Sequence, residues 1–236
     1  MKTRPLRVLS YNIHGQAHRL DRRYLERIAR VIRDAQPDVV GLQEVQRGGW
    51  RARFEDQAAS LAGLTGMQGV FGPSMEVRGG AFGNAVLTAG ALLASEVVPL
   101  PAAGEPRTLL TARIRFAGKP EEIAFHVTHL AAWGRWGRSA RSLQVTALLE
   151  RLKRYRGPFV LVGDLNADPA APELAPLIAG EMFRMCGDAM LCTHRFLRRR
   201  IDYVFADPGW TAVSERVVRA GPSDHWPVLV ELERRP

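Results

Sequence analysis

Two periods of apolar spacing run through the chain. Residues 6–13 are a short run of small, β-branched and apolar residues, broken at Asn12-Ile13-His14-Gly15, and they read as a strand. Leu25, Ile28, Ala29 and Ile32 fall at helical spacing and predict a helix over 24–35. Gln36-Pro37-Asp38 ends it, because the residue before a proline is pushed out of the α region. A short buried strand over 38–43 then runs into Glu44. A second helix is expected over 51–62, with strands near 68–71 and 85–88, and the glycines of 79–83 read as a turn presenting Asn84.

The middle of the chain changes to strand patterns at 91–98, 108–116 and 123–130, with a hairpin turn expected at 117–120. Leu143, Ala147, Leu148, Leu149 and Leu152 form one broad side of a helix over 141–155. A buried strand at 159–162 leads into Gly163-Asp164-Leu165-Asn166, and the last third gives strands at 201–205, 211–218 and 228–232. Helices interrupt the strands irregularly. The pattern therefore favours two sheets packed face to face with helices outside, in a single domain over 1–236, and not a regular βαβ series.

Composition narrows the class. An apolar fraction of 46% over 236 residues supports a real core. The net charge of +9 favours polyanionic partners, nucleic acid or an anionic membrane surface. Arginine carries almost all of it, since Lys2, Lys119 and Lys153 are the only lysines, and coding bias explains that as readily as phosphate recognition does. Cys186 and Cys192 are too few for a disulfide framework or a four-ligand zinc site, and read as reduced thiols of a cytoplasmic protein. The N-terminal residues lead into a strand pattern, not a signal-peptide run, and no segment has the apolar length of a bilayer span. Any membrane contact is expected to be peripheral, and the chain to act as a monomer.

Polar clusters interrupt or follow these strands at Asn12, Glu44, His129, Asp164 with Asn166, Asp202, and Asp224-His225. One acidic residue at a strand end is usually a turn former or a cap. Four of them, Glu44, Asp164, Asp202 and Asp224, are harder to explain that way, because a buried carboxylate needs a metal, a proton or a donor. Carboxylates and an amide without cysteine make an oxygen-rich site for a hard cation such as Mg2+ or Mn2+. That is the chemistry of phosphate-ester hydrolysis, in which a metal neutralises the phosphate and a carboxylate or imidazole activates water. Rival readings fail on geometry. Ser223, Asp224 and His225 are contiguous and cannot easily converge as a triad, and no nucleophile elbow is present. His126 and His129 have an odd offset on a strand and face opposite sides. The glycines at 79–83 lack the Lys-Ser/Thr of a phosphate loop.

In order, SYNIHG, LQEV, GNAVLT, THL, GDLNADP, IDYVF and SDHWPV resemble the endonuclease/exonuclease/phosphatase superfamily over almost the whole chain. The resemblance implies a four-layered α/β/β/α sandwich of mixed and antiparallel sheets, with its site at one end. It implies that Glu44 is the main metal ligand, with Asn12 beside it and Asp224 completing the metal and water network. Asp164 would orient or deprotonate the attacking water, Asn166 would hold a phosphate oxygen, and His225 would bind the phosphate and move protons. Asp202 would fix the His225 tautomer, His129 would assist the leaving group and Asn84 would help bind phosphate nearby. Whether Asp164 or His225 is the general base stays open.

Substrate is less legible. Residues 131–141 carry Trp133 and Trp136 amid Arg135, Arg138 and Arg141. They fit a nucleic-acid groove, a lipid headgroup layer, or simple packing and capping of the following helix. The expectation is a phosphodiesterase acting on nucleic acid or a phospholipid headgroup. The alternative is a catalytically weak basic module that keeps the fold and binds nucleic acid or an anionic membrane.

Overall fold

A computed structural model describes residues 4–19, 21–102, 104–118, 121–132, 134 and 136–235. Strand β1 (Leu6–Asn12) leads to helix α1 (Tyr24–Ala35), then β2 (Val39–Gly48), α2 (Gln57–Thr65), β3 (Gln68–Val77) and β4 (Gly80–Thr88). The central strands are β5 (Ala91–Pro99), β6 (Thr108–Arg115) and β7 (Glu122–His129), followed by α3 (Gly137–Leu152) and β8 (Phe159–Asp164). A short α4 (Ala175–Ile178) precedes β9 (Arg184–Met185), β10 (Asp202–Ala206), β11 (Trp210–Val217) and β12 (Val228–Arg234).

Among these residues the strands form two six-stranded sheets, ordered β11-β12-β1-β2-β4-β3 and β5-β6-β7-β8-β10-β9. Both are mixed, with one parallel pair each, β1 with β2 and β7 with β8. Val8, Val39 and Val230 of the first sheet pack on Phe125, Val127 and Val162 of the second, making the central layer of the core. The opposite face of the first sheet is covered by the apolar side of α1, including Leu25, Ile28 and Ile32. Leu148 and Leu152 of α3 and Leu177 of α4 cover the second. The sheets approach closely at Gly41, where an added Cβ would collide with the Val162 side chain.

Some local expectations shift. Residues 50–52 form one 3-10 turn, and Arg53 and Phe54 then take left-handed backbone conformations (φ 55° and 62°), so no helix can begin at residue 51. Asp56 instead caps α2, accepting from the Ala59 N–H at 3.0 Å. Helix α3 begins four residues before the expected start and ends at Leu152. Residues 80–83 belong to β4, paired with both β2 and β3, and do not form a turn. Lys119 and Pro120 of the expected hairpin turn lie outside the described residues. No helix among the described residues is long and apolar enough to cross a membrane.

Candidate active site

The two parallel pairs bring their C-terminal ends to the same end of the sandwich. Asn12 closes β1 opposite Gln43, and His129 closes β7 opposite Asp164, the last residue of β8. Asp202 opens antiparallel β10, also opposite Asp164, and Asp224 and His225 precede β12. Glu44 reaches the same place through an irregularity in β2, where the register with β4 shifts between Leu42 and Val45. It has a left-handed φ of 58°, as His14 (45°) and Asn166 (51°) do. Such backbones cost a non-glycine residue about 1–2 kcal/mol, and their gathering at one cleft is the pattern of strain held at functional sites.

Asp164 is the hub. Its Oδ1 accepts from the Asn166 N–H at 2.9 Å, and its Oδ2 accepts from Asn12 Nδ2 at 3.0 Å. The same amide donates to Glu44 Oε1 at 3.1 Å, so Asn12 ties the two carboxylates together. His129 Nε2 lies 3.5 Å and His225 Nε2 3.7 Å from Asp164 Oδ2. On its other nitrogen, His225 Nδ1 donates to Asp202, 2.9 Å from Oδ2 and 3.1 Å from Oδ1, which fixes the tautomer and leaves Nε2 toward the cleft. Burial raises the Asp164 carboxyl well above the usual carboxylate range, against the pull of His225. Burial alone would lower His225, but the Asp202 and Asp164 charges outweigh it and hold the imidazole up.

A cleft of about 470 Å³ opens over this cluster, lined among others by Glu44, His129, Asp164, Asn166, Asp224 and His225. Asn12 and Asp202 are fully buried beneath it. Two expected phosphate contacts are placed differently. Asn84 is buried, is absent from the cleft lining, and donates to the Thr108 carbonyl at 3.3 Å. Asn166 spends both amide hydrogens internally, on the Leu130 carbonyl at 3.0 Å and on His129 Nε2 at 2.9 Å. Its side chain thus orients His129, whose proton is left on Nδ1. Burial, with Arg107 and His225 nearby, keeps that imidazole neutral.

Three residues at or beside the cleft escaped the sequence reading, Arg107 and His194 in its lining and His14 bonded to Asp224. His14 donates through Nδ1 to Asp224 Oδ1 at 3.1 Å, and that bond raises its pKa. The signal was present, since His14 sits two residues after Asn12 within SYNIHG. Arg107 is a buried cation on the cleft wall, paired with Glu105 at 2.9 Å; nothing but a Pro-Arg pair before β6 marked it. His194 packs edge-on against the His225 ring, centroids 4.7 Å apart.

His194, Asp224 and His225 place one ligand atom each within 4.8 Å of one another, as do Asp164, Asp202 and His225. The first group is poorly suited to a metal. His194 Nδ1 accepts the N–H groups of Phe196 and Leu197 at 3.3 and 3.2 Å, so its Nε2 carries the proton and is no ligand. In the 131–141 segment, Trp133 and Arg135 lie outside the described residues. Arg141 is committed to structure: it pairs with Glu173 at 2.7 Å and donates to the Ala131 carbonyl.

The model of the Endonuclease/Exonuclease/phosphatase family matches residues 9–225. No curated protein matches. Among solved structures, an endonuclease/exonuclease/phosphatase from Beutenbergia cavernae is 27% identical with a TM-score of 0.79, over 98% of this chain and 72% of that one. The human Nocturnin catalytic domain with bound sulfate is 22% identical with a TM-score of 0.81, over 100% of this chain and 95% of that one. A Bacteroides thetaiotaomicron mannosyl-6-phosphatase is 21% identical with a TM-score of 0.78, over 96% and 99%.

Proposed function

The chain belongs to the endonuclease/exonuclease/phosphatase family, whose members are hydrolases of phosphoester bonds, and from that premise we propose a divalent-metal-dependent phosphodiesterase. The observation that carries the reading is the placement of Asp164 Oδ2 between Asn12, His129 and an imidazole, His225, locked on Asp202.

The residues fit a hard divalent cation. Glu44, Asp164, Asp202 and Asp224 gather at one end, among oxygen and imidazole donors, and Glu44 and Asp164 share a single amide between them. Such crowding of carboxylates is relieved by a cation. Mg2+ or Mn2+ held by Glu44, with Asn12 and Asp224 completing its surroundings, would neutralise the phosphate and polarise it toward attack. The chain's own groups do the rest. Asp164 accepts the proton of the attacking water. His225, with Nδ1 occupied by Asp202, offers its Nε2–H to a phosphoryl oxygen. His129, neutral, accepts from Asn166 through Nε2 and so positions that amide beside Asp164, while the leaving oxygen takes its proton from the His225 imidazolium, and Arg107 adds a cation on the cleft wall for the phosphate.

The test is hydrolysis of bis(p-nitrophenyl) phosphate, plasmid DNA, RNA and anionic phospholipid by purified protein with Mg2+ or Mn2+, with Asp164→Asn as control. Metal-dependent cleavage of at least one diester, lost in Asp164→Asn, is expected. If the wild type cleaves none of them, the binding-module alternative replaces this reading.

A further inference from the structure

The connection between β9 and β10 holds a feature that the catalytic cluster does not use. Residues 195–199 read Arg-Phe-Leu-Arg-Arg, and all five are exposed, Phe196 at 72%. They are not a loose strand of chain. Besides the two N–H groups held by His194 Nδ1, the Arg198 N–H donates to the His194 carbonyl at 3.0 Å. The Thr193 and His194 N–H groups both donate to the Arg199 carbonyl, at 2.9 and 3.0 Å, and close the turn. Arg198 takes a left-handed φ of 52° within it. The fold therefore braces a turn whose tip is a phenylalanine and a leucine.

Leaving such side chains in water forfeits the free energy that burying them would supply. A braced apolar tip with basic flanks is the surface expected of an interaction site. Its position is as informative as its composition. Leu197 lines the cleft, and the Arg195 N–H donates to the Asp224 carbonyl at 2.7 Å, so the turn stands at the cleft mouth.

We propose that this turn docks on an anionic phospholipid surface, with Phe196 and Leu197 entering the boundary between headgroups and acyl chains. Arg195 and Arg198 then meet lipid phosphates, since basic side chains near an anionic leaflet are drawn to its negative surface potential. Arg199 is partly engaged with Asp168, at 3.5 Å. A nucleic-acid strand is the poorer occupant. Leu197 has no π face for a base, and the Arg195 guanidinium already lies over the Phe196 ring, 5.7 Å from its centroid. Docking in this way turns the cleft toward the headgroup layer and makes a phospholipid-headgroup diester the substrate. That last step rests on the proposed hydrolase activity; the docking does not.

The experiment is co-sedimentation of the full chain with phosphatidylcholine vesicles, with and without phosphatidylglycerol. Wild type, Phe196→Ser and Arg195→Ser/Arg198→Ser are compared, with melting curves as a check on folding. Wild type should partition at least ten-fold better onto the anionic vesicles. Phe196→Ser should lose roughly ten-fold, and the double arginine variant at least as much together with the salt dependence. Wild type left in the supernatant overturns the proposal, as does a Phe196→Ser protein that binds like wild type. Phe196-dependent binding to single-stranded DNA stronger than to vesicles also overturns it, in favour of nucleic acid. Hydrolysis of a soluble diester without vesicle binding sinks the docking alone, whereas vesicle binding without any hydrolysis sinks the hydrolase alone.

Discussion

Arg200 and Glu215 are buried as deeply as Asp164 and His225, yet the two sets of charge are assembled on opposite terms. Arg200 meets Glu215 at 2.6 Å and also donates to the carbonyls of Cys186 and Asp188, while Glu215 accepts the Asp188 N–H. Arg141 of α3 and the buried Glu173 follow a related scheme, the carboxylate meeting Arg141 at 2.7 Å and Arg138 at 3.4 Å while the Ala131 carbonyl takes another Arg141 hydrogen. At the cleft the balance is broken. Four carboxylates face His225 and His14, and Arg107, the cation on that wall, is already paired with Glu105. Internal neutrality marks a charge that serves the fold. Surplus of one sign around a cleft marks a charge that serves a ligand.

That contrast can be broken by substitution. Glu44→Ala removes a carboxylate that no cation of the described chain pairs with at salt-bridge distance. It should lower Mg2+-supported kcat by roughly 10³-fold or more while leaving the melting temperature near wild type. Steady-state kinetics beside calorimetry check both halves, and a kcat within ten-fold of wild type would place the metal elsewhere. Arg200→Met should do the reverse. Breaking a buried pair from one side costs about 3–5 kcal/mol, read by urea unfolding, with kcat per folded molecule changed only a few-fold. If Arg200→Met damaged turnover as Glu44→Ala does, the division between the two regions would fall.

Asp202→Asn probes the boundary, because Asp202 is buried like a structural charge but serves a group in the cleft. The amide can keep the contact with Nδ1 but loses the charge that holds the imidazolium. A fall in kcat of roughly 10²-fold with KM within a few-fold is expected. A KM change with kcat intact would mean that His225 only binds substrate.

Much of the arrangement could be read from the chain. The α1 boundaries followed from Leu25, Ile28 and Ile32 and the Gln36-Pro37 stop, since local spacing and a proline act within a few residues. Asn12, Asp164 and Asp202 sit at strand ends for the same local reason. What was hidden depends on distance in the chain. The irregularity that aims Glu44 exists only against β4, and His194 reaches His225 across a gap of 31 residues through a bridge between two loops. Asn84 and Asn166 show the other limit. Their positions were legible, but which hydrogen-bond partners their amides would find was not. The start of α2 was misplaced although Asp56, three residues before Ala59, carried a capping signal.

The same contrast operates within a single strand. His126 and His129 lie on β7 and point to opposite faces, one into the layer under α3 and the other into the cleft. His126 is wholly buried, bonded through Nδ1 to Thr111 Oγ1 at 2.9 Å and edge-on to the rings of Tyr155 and Phe159. Burial, reinforced by Arg151, pushes its pKa down to about 3. In the unfolded chain it titrates near 6.5, so below that pH the unfolded state binds a proton that the folded state refuses. Stability from this group is therefore intact above pH 6.5 and is lost as pH falls from there toward 3. Between pH 8 and pH 5 the loss is about 2 kcal/mol. His126→Phe should keep the wild-type stability near pH 8 to within about 1 kcal/mol and show a shallower decline toward pH 5, followed by urea midpoints across that range. Parallel declines in the two proteins would mean that His126 is already protonated in the fold, and that burial here does not separate a structural histidine from a working one.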